Sequence, residues 1–185
     1  MEQIILGIDP GTSVMGFSII SIIGKTVNVT VLDVLRLAKI DSHPLKLKKI
    51  FETTLRLINE YHPDSLAIEA PFFGKNVQSM LKLGRAQGVA MAAALYRDIP
   101  VFEYSPRKIK QSITGNGAAS KEQVAAMLSN LIQFKNDSTF LDATDALAVA
   151  YCHYLQRNTK SPTTEYNSWA GFISKNPERV TEKRK

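Results

Sequence analysis

Four carboxylates stand out in this chain because each closes or interrupts a run that is otherwise apolar. Asp9 ends Ile4-Ile5-Leu6-Gly7-Ile8 just before Pro10-Gly11-Thr12, and Glu69 ends Ser65-Leu66-Ala67-Ile68 just before Ala70-Pro71. Asp142 and Asp145 lie three residues apart in Leu141-Asp142-Ala143-Thr144-Asp145-Ala146-Leu147-Ala148-Val149-Ala150. A carboxylate buried without a partner costs several kcal/mol or takes up a proton, so acids in such settings need a reason. Singly, each has an ordinary one. Asp9 can cap a turn, Glu69 can face solvent at a strand end, and acids in a helix's first turn gain about 0.3–1 kcal/mol each from the macrodipole. Gathered in one crevice, the four would repel one another, and some would hold protons at neutral pH. An oxygen-rich, cysteine-free set of this kind suits hard divalent cations, Mg²⁺ or Mn²⁺. Two such ions about 3.5–4 Å apart can hold the attacking water and the leaving oxygen of a phosphodiester. Asp9, on the innermost run, is then the natural ligand to bridge them.

The elements that would carry these acids can be read from periodicity. The run ending at Asp9 reads as a strand buried on both faces, and Pro10 and Gly11 break it. Val14 to Ile20 and Val27 to Leu32 also read as strands, with Gly24-Lys25 turning between them, so the chain opens as an antiparallel meander. From about His43 to Tyr61, Leu45, Leu47, Ile50, Phe51, Leu55 and Ile58 recur at helical spacing. Ser65 to Glu69 repeats the device seen at Asp9, and ligand crevices in α/β sheets lie at the carboxyl ends of strands. A helix from about Val77 to Arg97 carries small residues at Gly84, Ala86, Gly88, Ala90, Ala92, Ala93 and Ala94, which suits close approach of another helix, within the core or in a second copy. Val101 to Tyr104 reads as a third interior strand. The last organised element is a helix from about Phe140 to Leu155 whose neighbours are almost all apolar, so its two acids are expected to face inward. His153 lies eight residues past Asp145, about 12 Å along a helix. That is too far to share an ion with it, and His153 is expected to be an ordinary, partly buried histidine.

The cations are segregated. Between Lys75 and Lys121 there are eight Lys or Arg against two acids, and from Gln156 onward seven against three, although the whole chain of 185 residues carries only +6. A basic stripe beside an acidic centre is the footprint of a nucleic-acid surface, although a solvated helix face would give part of it. Phe72-Phe73-Gly74-Lys75-Asn76 forms a loop whose exposed aromatic, taken as Phe72, can stack on an unpaired base beside Lys75. Ser105-Pro106 starts a short helix bearing Arg107, Lys108 and Lys110. Ser120 can cap the next helix with Gln123 as its capping-box partner, leaving Lys121 at an N-terminus that favours phosphate. Lys110 and Lys121 flank the Thr114-Gly115-Asn116-Gly117 loop. Together, acids and cations point to metal-dependent hydrolysis of nucleic acid.

Composition is that of an ordinary globular chain, 44% hydrophobic and 22% charged. With Cys152 alone there is no intrachain disulfide, and its apolar neighbours suggest a buried, inert thiol. No signal-peptide pattern opens the chain, and no apolar run reaches the length of a membrane span, so a cytoplasmic location is expected. The organised part is expected over residues 1–156, with residues 157–185 a basic, flexible tail.

The motifs Gly7-Ile8-Asp9-Pro10-Gly11-Thr12, Ala67-Ile68-Glu69, Lys82-Leu83-Gly84-Arg85-Ala86-Gln87-Gly88-Val89-Ala90, Glu103 to Gln111, and Asp142 to Ala148, taken in this order, resemble the bacterial RuvC family of crossover junction endodeoxyribonucleases. The resemblance runs from about Ile4 to Leu155 and leaves the rest of the chain unmatched. It implies an α/β, RNase H-like fold, a mixed five-stranded sheet flanked by helices. It also implies a homodimer that binds four-way junction DNA and makes symmetric, Mg²⁺-dependent nicks in two strands of like polarity, with two ions per subunit and Mn²⁺ able to substitute. The family's acidic tetrad falls on Asp9, Glu69, Asp142 and Asp145, its junction-centre aromatic on Phe72, and its two important lysines on Lys110 and Lys121. Cooperation with the RuvA and RuvB branch-migration proteins is implied by the resemblance alone. Three other readings of the residues stand beside it. An actin-like sugar kinase would use the same turn at Asp9 but needs two such lobes. A related RNase H-like nuclease would cut structured RNA. A purely binding module would gain nothing from four clustered acids.

Overall fold

The computed structural model describes residues 2–71, 76–132, 134 and 141–158. Five strands, β1 (Glu2–Asp9), β2 (Val14–Ile23), β3 (Thr26–Arg36), β4 (Ser65–Glu69) and β5 (Val101–Tyr104), form one sheet in the order β3-β2-β1-β4-β5. The first three run antiparallel as a meander, whereas β4 lies parallel to β1 and β5 parallel to β4. The five helices are α1 (His43–Tyr61), α2 (Val77–Leu95), α3 (Pro106–Thr114), α4 (Lys121–Leu131) and α5 (Leu141–Asn158). The mixed sheet with flanking helices is the expected α/β architecture. Met1–Tyr154 form one compact unit, and of the second, Leu155–Lys185, only residues 155–158 are described.

The two faces of the sheet are built from different side chains, and this difference positions the acids. On one face Leu6, Ile8, Met15, Phe17, Ile19, Leu66 and Ile68 join Ile50, Leu57 and Ile58 of α1 and Ala86, Ala90 and Ala94 of α2 in a large aliphatic core. The opposite face carries Ile5 and Ile20 but narrows to Gly7, Gly16 and Ser18 toward the tips of β1 and β2, and α5 lies there at close range. A methyl group at Gly7 would meet the Ala146 carbonyl at 2.3 Å, and one at Gly16 would meet the Asp142 carbonyl at 2.1 Å. Ser18 Oγ donates to the same Ala146 carbonyl at 3.1 Å. Side chains alternate faces along a strand, so Gly7 and Asp9 share the α5 side. Asp9 pairs in register with Gly16, which brings the N-terminus of α5 over the end of β1.

One expectation is corrected here. Val101–Tyr104 is an edge strand, not an interior one, and its residues run half-buried, exposed, exposed, half-buried. Only Leu66 to Glu69 pair with it among the described residues, so it has a single neighbour to bury against.

A candidate acidic centre at the strand ends

β1 and β4 are in register through Ile8 and Ile68, so Asp9 and Glu69 stand at adjacent strand tips one step further on. Both are half-buried, and both line a cavity of about 310 Å³ with Asp145, Lys110 and Lys121. Its apolar wall comes from Leu83 of α2, Ile109 of α3, and Val124 and Ala148 of α4 and α5. The structure therefore brings residues from opposite ends of the chain to one place. Asp142 lies at the rim, with Lys121 Nζ 3.9 Å from its Oδ1, while the same ammonium donates to Asp145 Oδ2.

The pair on α5 departs from the expectation that both acids face inward. Asp145 is largely covered, at 18% side-chain exposure, but Asp142 is 52% exposed. Residues three apart on a helix are offset by about 60° around its axis, so when Asp145 turns into the cavity its partner leans out toward solvent.

Electrostatics record the crowding. Burial first, then the charges of Glu69 and Asp145, push the Asp9 carboxyl from 3.8 up to about 8; Asp142 adds to this and Lys121 opposes it. Burial and Asp145 raise Glu69 from 4.5 to about 7, against the pull of Lys121 and Lys110. Burial also raises Asp145, offset by its bond to Lys121. For Lys121 burial works against the charged form, but Asp145, Asp9 and Asp142 outweigh it and the net shift is upward. Asp9 is thus the member that feels all three other acids.

As the side chains stand, no three acidic, His or Cys groups among the described residues are arranged to hold a metal ion, and Lys121 lies against Asp145 and Asp142 instead. The donor chemistry nevertheless fits a hard cation. Lys121 contacts only two of the four carboxylates, and the other two are held so far above their ordinary range that added positive charge would relieve them.

The basic residues differ in how directly they meet this centre. Lys110 lines the cavity directly. Lys121 sits at the first position of α4, whose capping box is present as expected: Gln123 N–H donates to Ser120 Oγ at 3.3 Å and Ser120 N–H donates to Gln123 Oε1 at 2.9 Å. Arg107 is exposed on α3 with its aliphatic stem over Gly117, where a methyl group would meet its Cγ at 2.7 Å. Phe72 and Lys75 lie outside the described residues. Sequence reasoning missed Gln87, which is buried on α2, lines the cavity, and donates from Nε2 to Glu103 Oε2 at 2.7 Å. The available signal was an amide set among the Ala and Gly of the middle of that helix.

His153 is a structural histidine as expected, but more deeply buried. Both ring nitrogens are engaged, Nδ1 with the Tyr104 hydroxyl at 2.7 Å and Nε2 with Ser65 Oγ at 3.2 Å. Cys152 is buried as expected, and burial raises its thiol.

Comparison with known proteins agrees with this arrangement. The family model described as crossover junction endodeoxyribonuclease RuvC matches residues 5–153. Proteins of that name from Bacteroides fragilis and Porphyromonas gingivalis are 58% identical over 181 residues and 52% identical over 184. These alignments cover 97% of this chain and 96% and 97% of those proteins. Thermus thermophilus RuvC, solved in complex with a Holliday junction substrate, superposes with a TM-score of 0.76 at 27% identity, covering 84% of this chain and 94% of that one. The yeast mitochondrial Holliday junction resolvase Ydc2 shares the fold at 16% identity with a TM-score of 0.60, over 83% of this chain and 80% of that one. The sheet order, the strand-tip acids and these matches lead to one conclusion: the chain belongs to the RuvC family of crossover junction endodeoxyribonucleases and has its RNase H-like fold.

Proposed function

We propose that the cavity at the tips of β1 and β4 is the centre at which this nuclease cuts four-way DNA junctions, as part of recombination and DNA repair. The observation that carries this is the meeting of Asp9, Glu69 and Asp145 in one cavity with Lys110 and Lys121, with Asp142 at its rim. The enzyme is an endonuclease of the RuvC family, and its chemistry is metal-dependent.

Asp9, Glu69, Asp142 and Asp145 would hold the metal, which we take to be two Mg²⁺ per subunit with Mn²⁺ able to replace them. Asp9, which feels all three other acids, would be central among these ligands. Bound there, the ions supply Lewis acidity to both the attacking and the departing oxygens of a phosphodiester. The protein's own groups do the rest. Lys121 reaches the acids from α4 and would turn toward the strained phosphate as a catalytic cation, while Lys110 would hold the strand beside it. Arg107 extends the positive track outward, and Phe72 with Lys75 would meet unstacked bases at the junction centre. The apolar wall of Leu83, Ile109 and Val124 limits water around the reacting group.

Two symmetric nicks need two centres related by a two-fold axis, and α2 offers the seam. Val77, Leu81, Gly84, Gly88, Ala92 and Leu95 recur at spacings of four, three, four, four and three. Val77, Leu81 and Leu95 are 61%, 49% and 58% exposed, and added methyl groups at Gly84 and Gly88 would meet nothing. The proposed occupant is the same helix of a second copy, giving a homodimer. RuvA and RuvB remain proposed partners. No helix among the described residues is long and apolar enough to cross a membrane, and the proposed location is the cytoplasm. The proposed division is a nuclease domain over residues 1–156 and a basic tail over 157–185.

The test is a gel assay on four-way and linear duplex DNA of the same sequences, with and without Mg²⁺. Paired symmetric nicks confined to the junction and dependent on the ion support the reading. Cutting of structured RNA with junctions ignored would replace it.

A further inference from the structure

α5 crosses the sheet obliquely, and three contacts fix its path. At its head the Asp142 carbonyl rests on Gly16 of β2, and in the middle Ala146 and Ala150 rest on Gly7 of β1. Further along, His153 reaches β4 and β5. There the Tyr104 hydroxyl lies 2.7 Å from Nδ1, Ser65 Oγ lies 3.2 Å from Nε2, and the Phe102 ring stacks on the imidazole with centroids 4.4 Å apart. The contacts at Gly16 and Gly7, with the Ser18 hydroxyl bonded to the Ala146 carbonyl, seat the head and middle of the helix and make Ala146 its pivot. The His153 contacts are directional hydrogen bonds in a buried setting, where geometry is strongly specified.

The strands that hold His153 are the ones that carry the centre. Ser65 opens β4 and Glu69 closes it, and Tyr104 is the register partner of Glu69 on β5. Residues two and four apart in a strand share a face, so Ser65 and Glu69 address α5 together, one at its far end and one at its acidic head. His153 lies about 10 Å beyond Ala146 along the helix, and Asp142 about 6 Å before it. With the pivot at Ala146, a shift of about 1 Å at His153 moves Asp142 by about 0.6 Å the other way, and a roll of the helix carries Asp145 out of the cavity. Misplacement of a reacting group by about 1 Å can cost about 100-fold in rate.

We propose that His153 is a positioning residue for cleavage: bridged to Ser65 and Tyr104, it sets the tilt and roll of α5 and so holds Asp142 and Asp145 against Asp9 and Glu69. Its role is indirect, since it lies eight residues past Asp145, about 12 Å along the helix from that carboxylate. This rests on the reading of the four acids as the cutting centre.

The experiment uses the full chain and four variants, Tyr104→Phe, Ser65→Ala, His153→Phe and His153→Asn. The first two each remove one hydroxyl. The third keeps a ring against Phe102 without hydrogen bonds, and the fourth keeps an amide nitrogen near the place of Nδ1. Junction affinity is measured without cutting, in Ca²⁺. The single-turnover rate is measured in saturating Mg²⁺, well below each variant's melting temperature. The expected result is affinity within about two-fold of the parent, with rates reduced about 10-fold or more for Tyr104→Phe and His153→Phe and partly restored for His153→Asn. Folded Tyr104→Phe and Ser65→Ala proteins that melt earlier yet cut at the parental rate would overturn the proposal, reducing His153 to a stabilising contact. Should His153→Phe fail to fold, those two single-hydroxyl variants decide alone. Asp9→Asn is run alongside; if it still cuts, the reading of the acidic centre has failed instead, whatever the His153 variants do.

Discussion

Asp9 and Glu69 sit one register step beyond the Ile8–Ile68 pair, side by side at the tips of parallel strands, with their carboxyls turned to the same helix. Each is held above its ordinary range chiefly by burial and then by neighbouring acids, Asp9 at about 8 and Glu69 at about 7. Nothing in such an arrangement serves folding. It is costly in the absence of a cation, and the cost has measurable consequences.

The first is a dependence of metal-free stability on pH. Both folded-state values lie above the ordinary 3.8 and 4.5, so the folded protein binds these protons more tightly than the unfolded chain. Their contribution is fully present below about pH 4 and is lost as pH rises through about 7 to 8. In EDTA the melting temperature should therefore fall between pH 5 and pH 8, by less in Asp9→Asn, and Mg²⁺ at pH 8 should restore it. A flat profile in the parent protein would mean the acids are not crowded.

The second concerns the seat of α5. A methyl group at Gly16 would meet the Asp142 carbonyl at 2.1 Å, and backbone on both sides leaves no flexible chain end to yield. Gly16→Ala should cost about 1–3 kcal/mol by overpacking, seen as a lower urea midpoint. Cleavage should fall further than the loss of folded protein accounts for, because the head of α5 is lifted. Parental stability would show that the helix is not seated there.

A third follows from Lys121, whose ammonium lies on Asp145 and near Asp142. Lys121→Ala should slow single-turnover cleavage by about 100-fold, the scale of losing one electrostatic stabiliser, while junction affinity changes by less than about three-fold. A pure loss of affinity would make Lys121 only a phosphate anchor.

The α2 seam gives a fourth. Leu81 is 49% exposed in line with Gly84 and Gly88. Leu81→Glu should shift the protein toward monomer in sedimentation velocity without altering its circular dichroism. An unchanged dimer would move the interface elsewhere.

Much of this centre was legible in the sequence because the signals were local. A strand that ends in an acid followed closely by proline announces itself at both Asp9 and Glu69, and the Ser120–Gln123 pair gives the start of α4. The small residues of α2 and the apolar stretch around Asp142 fix those helices to within a turn. What was not legible depends on the third dimension. Whether Val101–Tyr104 lies at an edge is set by what pairs beyond it, which no local pattern encodes. The outward lean of Asp142 follows from the roll of α5 once Gly7 and Gly16 seat it. The burial of His153 needs Ser65 and Tyr104, which lie 88 and 49 residues away. Gln87 was given no role because an amide in an alanine-rich helix is unremarkable until the cavity beside it is seen.

The most direct measurement is cleavage of a four-way junction by Asp9→Asn in Mg²⁺, with binding followed separately in Ca²⁺. The acidic centre predicts that the junction is still bound, as tightly as by the parent or more so, and that no nicks form. Nicking at the parental rate would contradict it.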